Sequence, residues 1–235
     1  MITAILTILL PVSGIIQAAE GFGNENRTSS VVQSQIVHGW QPGNGILSAL
    51  LQVGFENHLP MGILVQGDIL CEPKSTAGQQ IVTLEDLSKQ IGILVPGYKA
   101  EIKDGVFFVH PQTVSPFTLN LLKLIIPRFR SGQGGAEKFG VDLWMHIRAV
   151  LVPSEGSAFI GGVQRGTENL PDVEMTNVTV EQILDRIVTL KTGGMWIMYE
   201  VPPDWNKDPK SMPFEILSYS GMKEAISCTE PTRGP

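Results

Sequence analysis

Two stretches of eleven residues echo one another, and that likeness narrows the folds open to this chain more than any other feature. With residue 81 laid on residue 177, IVTLEDLSKQI and NVTVEQILDRI share Val82/Val178, Thr83/Thr179, Glu85/Glu181 and Ile91/Ile187. In each block a threonine is placed to cap a helix, and an acidic residue follows in the first turn beside the positive end of the dipole. Leu84, Leu87 and Ile91 then form one apolar stripe. Two capped amphipathic helices can share four such residues by chance. What carries the reading is the order around them, since an apolar helix precedes each block and a strand pair follows it.

The first unit opens with ILSALLQVGFEN (46–57), whose apolar residues fall on overlapping helical faces, and continues with a short strand in MGILVQ (61–66). CEPKSTAGQQ (71–80) is a loop, and after the first repeat block YKAEI-KDG-VFFVHP predicts a hairpin about Asp104-Gly105. The second unit starts with FTLNLLKLIIPRF, predicted as a helix ending before Pro127. A glycine-rich loop then leads to GVDLWMHIRAVLVP. There Val141, Leu143, Met145, Ile147, Ala149 and Leu151 alternate with Asp142, Trp144, His146 and Arg148, the period of a half-buried strand. SAFIGGV is its expected return partner. The second repeat block, then MWIMYEVP and FEILSY as strands, complete the unit. The expected fold class is α+β, with two related small repeats at 45–113 and 114–221, each packing helices on a small mixed β-sheet. A lead-in at 20–44 and a tail at 222–235 flank them.

The residues Leu47, Ala49 and Leu50, then MGILVQ, IVTLEDL and YKAEIKDGVFFVHP, resemble the short N-terminal domain of secretins and signalling TonB-dependent receptors, called STN. The likeness covers roughly 45–111 and extends more loosely over 117–220. It implies a periplasmic interaction module that docks other envelope proteins.

Residues 1–19, MITAILTILLPVSGIIQAA, carry no charge, are interrupted by Pro11 and Gly14, and end in small residues. They read as a secretory signal peptide. The rival reading is an uncleaved anchor, because 19 residues just reach across a bilayer. The missing Lys or Arg ahead of the apolar core also admits a start upstream of Met1. No later segment is long and apolar enough to span, so the mature part is expected to be periplasmic or secreted without stable membrane insertion. Cys71 and Cys228 fit an oxidising compartment; paired, they would constrain the unfolded chain by about 5 kcal/mol on the chain-entropy account. Two unpaired thiols are the equal alternative.

A net charge of −6, from 17 basic and 23 acidic residues, argues against nucleic acid as a partner. The sequence lacks GxSxG, HExxH, GxxxxGK[ST] and GxGxxG. Gly132, Gly134 and Gly135 suggest a phosphate loop, but on the strand reading no helix dipole follows them. On the same strand Asp142 and His146 stand about 13 Å apart, too far to act together. His38, His58 and His110 sit at element ends without metal-ligand spacing. No catalytic, cofactor or metal residue is therefore expected. Trp144, flanked by His146 and Arg148 on a polar strand face, is the candidate anchor for a partner, unless a second layer covers it. The competing function is an enzyme or small-ligand binder whose site is assembled from distant residues.

Overall fold

The computed structural model describes residues 35–67, 70, 80–152, 170–190, 194–201, 203 and 212–218. Residues 1–34, Cys71 and Cys228, the SAFIGGV segment and the tail lie outside the described residues, and with them the signal-peptide and disulfide readings.

The first segment runs β1 (Ile36–Trp40), a 3-10 turn, α1 (Ile46–Asn57), β2 (Met61–Val65), β3 (Gln80–Thr83), α2 (Leu84–Leu94), β4 (Tyr98–Lys103) and β5 (Val106–Pro111). The second runs α3 (Pro116–Leu122), β6 (Ile125–Ser131), α4 (Ala136–Leu151), β7 (Val173–Thr179), α5 (Val180–Val188), β8 (Gly194–Tyr199) and β9 (Phe214–Ser218). Helices and mixed sheets together make an α+β fold. Among the described residues, β1 pairs with β3 and β6 with β7 as antiparallel ribbons, while β4-β5-β2-β8-β9 form one sheet. In that sheet β2 runs parallel to both β5 and β8, and the outer pairs are antiparallel.

Both segments therefore contribute to a single sheet with helices on its two faces, which replaces the separate small mixed sheets expected for 45–113 and 114–221. Alternation along the strands assigns the faces. Met61, Ile63, Phe107, Val109, Met195 and Ile197 pack with α1, α2 and β1. Leu64, Val106, Phe108, Trp196, Met198 and Phe214 pack with α4, α5 and β6. The central strands β2 and β5 are buried at every position, as strands covered on both faces must be. The hairpin at Asp104-Gly105 forms as expected, both turn residues having positive φ (51° and 81°).

The two repeat blocks adopt the same local geometry. Thr83 Oγ1 accepts from Asp86 N at 3.1 Å and Thr179 Oγ1 from Gln182 N at 3.2 Å. Gln182 returns the contact, accepting from Thr179 N at 2.9 Å, so the second cap is a full capping box. Leu84 N donates to Gln35 O at 3.0 Å, and Val180 N to Leu124 O at 3.1 Å. In both ribbons the threonine faces an isoleucine, Ile36↔Thr83 and Ile125↔Thr179. Thr83→Ala and Thr179→Ala are each expected to cost about 1 kcal/mol, with Thr179→Ala the larger because it breaks a reciprocal pair. Urea unfolding of the two single variants checks the order.

Two elements depart from the sequence reading. Ala136–Leu151 is a helix, not a strand. Its residues carry two periods at once, and the helical stripe Phe139, Leu143, Trp144 and Ile147 is the one that meets the core. Glu137 in the first turn and Arg148 in the last also suit the helix dipole. The expected helix through Ile126 stops at Leu122, and β6 starts at the β-branched pair Ile125-Ile126 and runs through Pro127. Proline is tolerated there because a two-stranded ribbon is all edge.

Candidate functional site

The residues singled out as a partner anchor do not share an exposed face. Trp144 is 5% exposed and belongs to the core between α4, α5 and the sheet, so the covering layer is present. His146 lies one helical turn beyond Asp142 and turns toward β6, its Nε2 3.4 Å from Arg130 O and its ring edge-on to Phe129 at 5.3 Å. Arg148 is half-buried in the last turn of α4.

The helix does bring Asp142 near other polar groups. Ser131 Oγ donates to Asp142 Oδ2 at 2.5 Å, and Lys138 Nζ donates to the same oxygen at 2.6 Å. Lys138 Nζ also reaches Gly132 O at 3.1 Å, and its stem lies across Gly134, where a Cβ would sit 2.5 Å from Lys138 Cδ. The glycine-rich loop thus enters a helix after all, correcting the expected strand. Its lysine nevertheless faces inward and ties the loop to α4. Ser131 is 1% exposed, and its proton points to a carboxylate already neutralised by a lysine. Lys138 Nζ lies 3.3 Å from the same hydroxyl but is held by Asp142 and Gly132 O, and the hydroxyl is shut off from solvent, so the group acts as a structural clasp.

A half-buried carboxylate sits where the two segments meet. Asp185 on α5 accepts from Trp196 Nε1 of β8 at 2.9 Å. Burial pushes its carboxyl up to about 6; the indole hydrogen bond opposes this, Glu181 adds to it, Lys103 opposes it and Asp104 adds to it. Lys103 from the β4–β5 hairpin bridges to Glu181 at 2.6 Å, closing the junction. Because the folded carboxyl titrates above the unfolded value of 3.8, the native state binds the extra proton. Stability is therefore expected to rise as pH falls from about 6 to about 4, by at most about 3 kcal/mol. Asp185→Asn keeps an acceptor for the indole and removes the charge. It is expected to be about 1–2 kcal/mol more stable than the parent near pH 8 and equal to it below pH 4, as thermal melts across that range would record.

A third feature lies on the first segment. A shallow groove of about 320 Å³ runs between α2 and β4, lined by Leu84, Glu85, Ser88, Ala100, Glu101 and Ile102. Strand β4 ends the sheet, and no described strand pairs with its outer side. Phe107 N donates to Pro60 O, so Phe107 turns its backbone toward β2, away from β4. Its cross-strand neighbour Ile102 must then turn both backbone groups outward, and so must Ala100 opposite Val109. The two residues that floor the groove also offer two N–H and two C=O groups at the free edge.

On the far side of the hairpin, His110 Nδ1 lies 2.8 Å from Pro111 O, and the ring stacks on Phe108 at 4.5 Å. Its Nε2 is buried without a hydrogen-bond partner. Glu101 Oε1 lies 3.5 Å away, without the geometry of a hydrogen bond.

Among the described residues, no three His, Cys, Asp or Glu side chains converge as metal ligands would, and no helix is long and apolar enough to cross a membrane. Compared with protein-family models, curated proteins and solved structures, the chain matches none.

The edge site was half visible in the sequence. YKAEIK alternates small or apolar residues with charged ones, and the Asp-Gly turn marks a hairpin. That β4 rather than β5 is the outer strand depends on β5 pairing with β2, a contact across a long stretch of chain.

Proposed function

We propose that this chain is a non-catalytic protein-interaction module of the bacterial cell envelope, periplasmic or secreted, that binds a partner by accepting an added strand on β4. The observation that carries the reading is the free β4 edge lying beside the α2–β4 groove. Strand addition draws affinity from main-chain hydrogen bonds and specificity from pockets for alternate side chains, and this edge supplies both. The resemblance to the STN family supports the same role, and the uncharged N-terminal stretch supports export. The inward-tied Lys138 and the buried Ser131 weigh against the competing enzyme reading at the Ser131–Lys138–Asp142 cluster.

The test places a photo-crosslinking residue at Glu101 in the full chain, expressed in a bacterial host, with Glu215 on β9 as the control position. Capture of one envelope protein is expected at the first position alone. Ala100→Pro removes an outward N–H from an edge strand, where proline is compatible with the fold, and is expected to abolish capture while leaving circular dichroism unchanged. Capture that survives this substitution overturns the β4 assignment. N-terminal sequencing of the recovered protein tests export, and residues 1–19 retained in a cytoplasmic pool would overturn it.

A further inference from the structure

Strand β4 is charged in a pattern that its own copy cannot satisfy. Lys99, Glu101 and Lys103 alternate with Ala100 and Ile102 and share the face opposite the one that Ala100 and Ile102 turn to α2, with Glu101 also reaching the rim of the groove. All three are exposed, with Lys99 lying 3.6 Å from Glu101 and Lys103 held by Glu181. An antiparallel pairing with a second copy uses all four outward backbone groups on each strand only when Ala100 faces the second copy's Ile102. That register sets Glu101 against Glu101 and Lys99 against Lys103, like charges at every exposed position. The two shifted registers that would set lysine against glutamate run into other obstacles. One brings in Tyr98, whose N–H already donates to Val95 O at 3.0 Å. The other brings in Asp104, which has turned out of the strand with φ 51°. Self-pairing is disfavoured, as an unprotected edge requires.

The same pattern is complementary to a different strand. Resting on the proposed strand addition, we infer that the β4 edge takes an extended antiparallel segment of another protein that reads acidic–aliphatic–basic–aliphatic–acidic. The two acidic residues face Lys99 and Lys103, and the basic residue faces Glu101. The two aliphatic side chains fall opposite Ala100 and Ile102 and enter the groove beside Leu84 and Ser88. Main-chain bonding alone would accept any extended segment; the charge alternation selects among them and fixes the register.

The probes are two synthetic peptides with the cores Glu-Val-Lys-Val-Glu and Lys-Val-Glu-Val-Lys, titrated into the ¹⁵N-labelled full chain. The first is expected to shift the amides of Ala100 and Ile102 and to bind about five- to tenfold more tightly than its charge-reversed twin. Lys99→Glu combined with Glu101→Lys, two exposed changes that keep one acid and one base, is expected to reverse that preference to a smaller one for the charge-reversed twin, because two of the three facing charges change sign. Equal affinity of the two peptides overturns the charge pattern. If neither peptide binds while a crosslinker at Glu101 still captures a partner, the pattern fails and strand addition at β4 stands. If the shifts fall on Ile216 of β9 instead, both fail. A homodimer in sedimentation with Ala100 and Ile102 protected from exchange overturns the choice of a foreign strand.

Discussion

Trp196→Ala is expected to cost about 3–5 kcal/mol, the range for deleting a fully buried aromatic side chain, and to lower the urea midpoint more than any surface change. Trp196 is wholly buried in the middle of the sheet. Its indole lies over Gly62 of β2, packs against Phe108 of β5 with ring centroids 5.5 Å apart, and donates to Asp185 of α5. One side chain thus joins both segments. Trp196→Phe separates the two contributions, since it retains most of the ring contact and removes the donor. It is expected to lose about 1–3 kcal/mol, chiefly through Asp185 left without its hydrogen bond. That loss should shrink as pH falls below about 6, where the folded carboxyl is protonated, since the unfolded chains titrate alike and cancel. A Phe variant as stable as the parent near pH 8 would show that the indole N–H contributes nothing.

Gly62→Ala is expected to cost about 2–3 kcal/mol even though alanine suits a strand at least as well as glycine. A Cβ on Gly62 would stand 2.5 Å from Cε2 of the Trp196 indole. Gly62 lies directly opposite both Trp196 and Phe108, so neither neighbouring strand leaves the ring a way out. In a Trp196→Ala background the same substitution should cost almost nothing, because the added methyl enters the space that the indole vacated. The double-mutant cycle is the measurement, with a coupling of about 2 kcal/mol expected. Additive costs would mean that the glycine is required for a reason other than the ring.

Much of this arrangement was legible in local signals. The Thr83 and Thr179 caps, the Asp104-Gly105 turn and the amphipathic stripes of α2 and α5 are each fixed by a few adjacent residues, and each stands where its pattern indicates. Val141–Leu151 misled because one stretch satisfies two periods, and only the presence of a core beside Phe139, Leu143 and Trp144 decides between them. That decision moved Trp144 from a candidate surface to the interior and brought Asp142 to Lys138. The edge character of β4 and the meeting of Trp196 with Gly62 had no local signal, since both follow from pairings between distant strands.

The place of β2 between β5 and β8 carries a consequence for how the chain reaches its native state. Met61 pairs with Met195 and Val65 with Tyr199, so the sheet closes over a loop on the order of a hundred residues. Such high contact order makes folding slow. Until α5 and β8 are synthesised and docked, the face bearing Leu64 and Phe108 has nothing to cover it. A half-made chain would present an apolar surface and an unpaired β2 edge together, the combination that holdase chaperones bind and that aggregation exploits. Cutting between β5 and α3 should therefore yield two insoluble halves, and the intact chain should unfold in a single cooperative step.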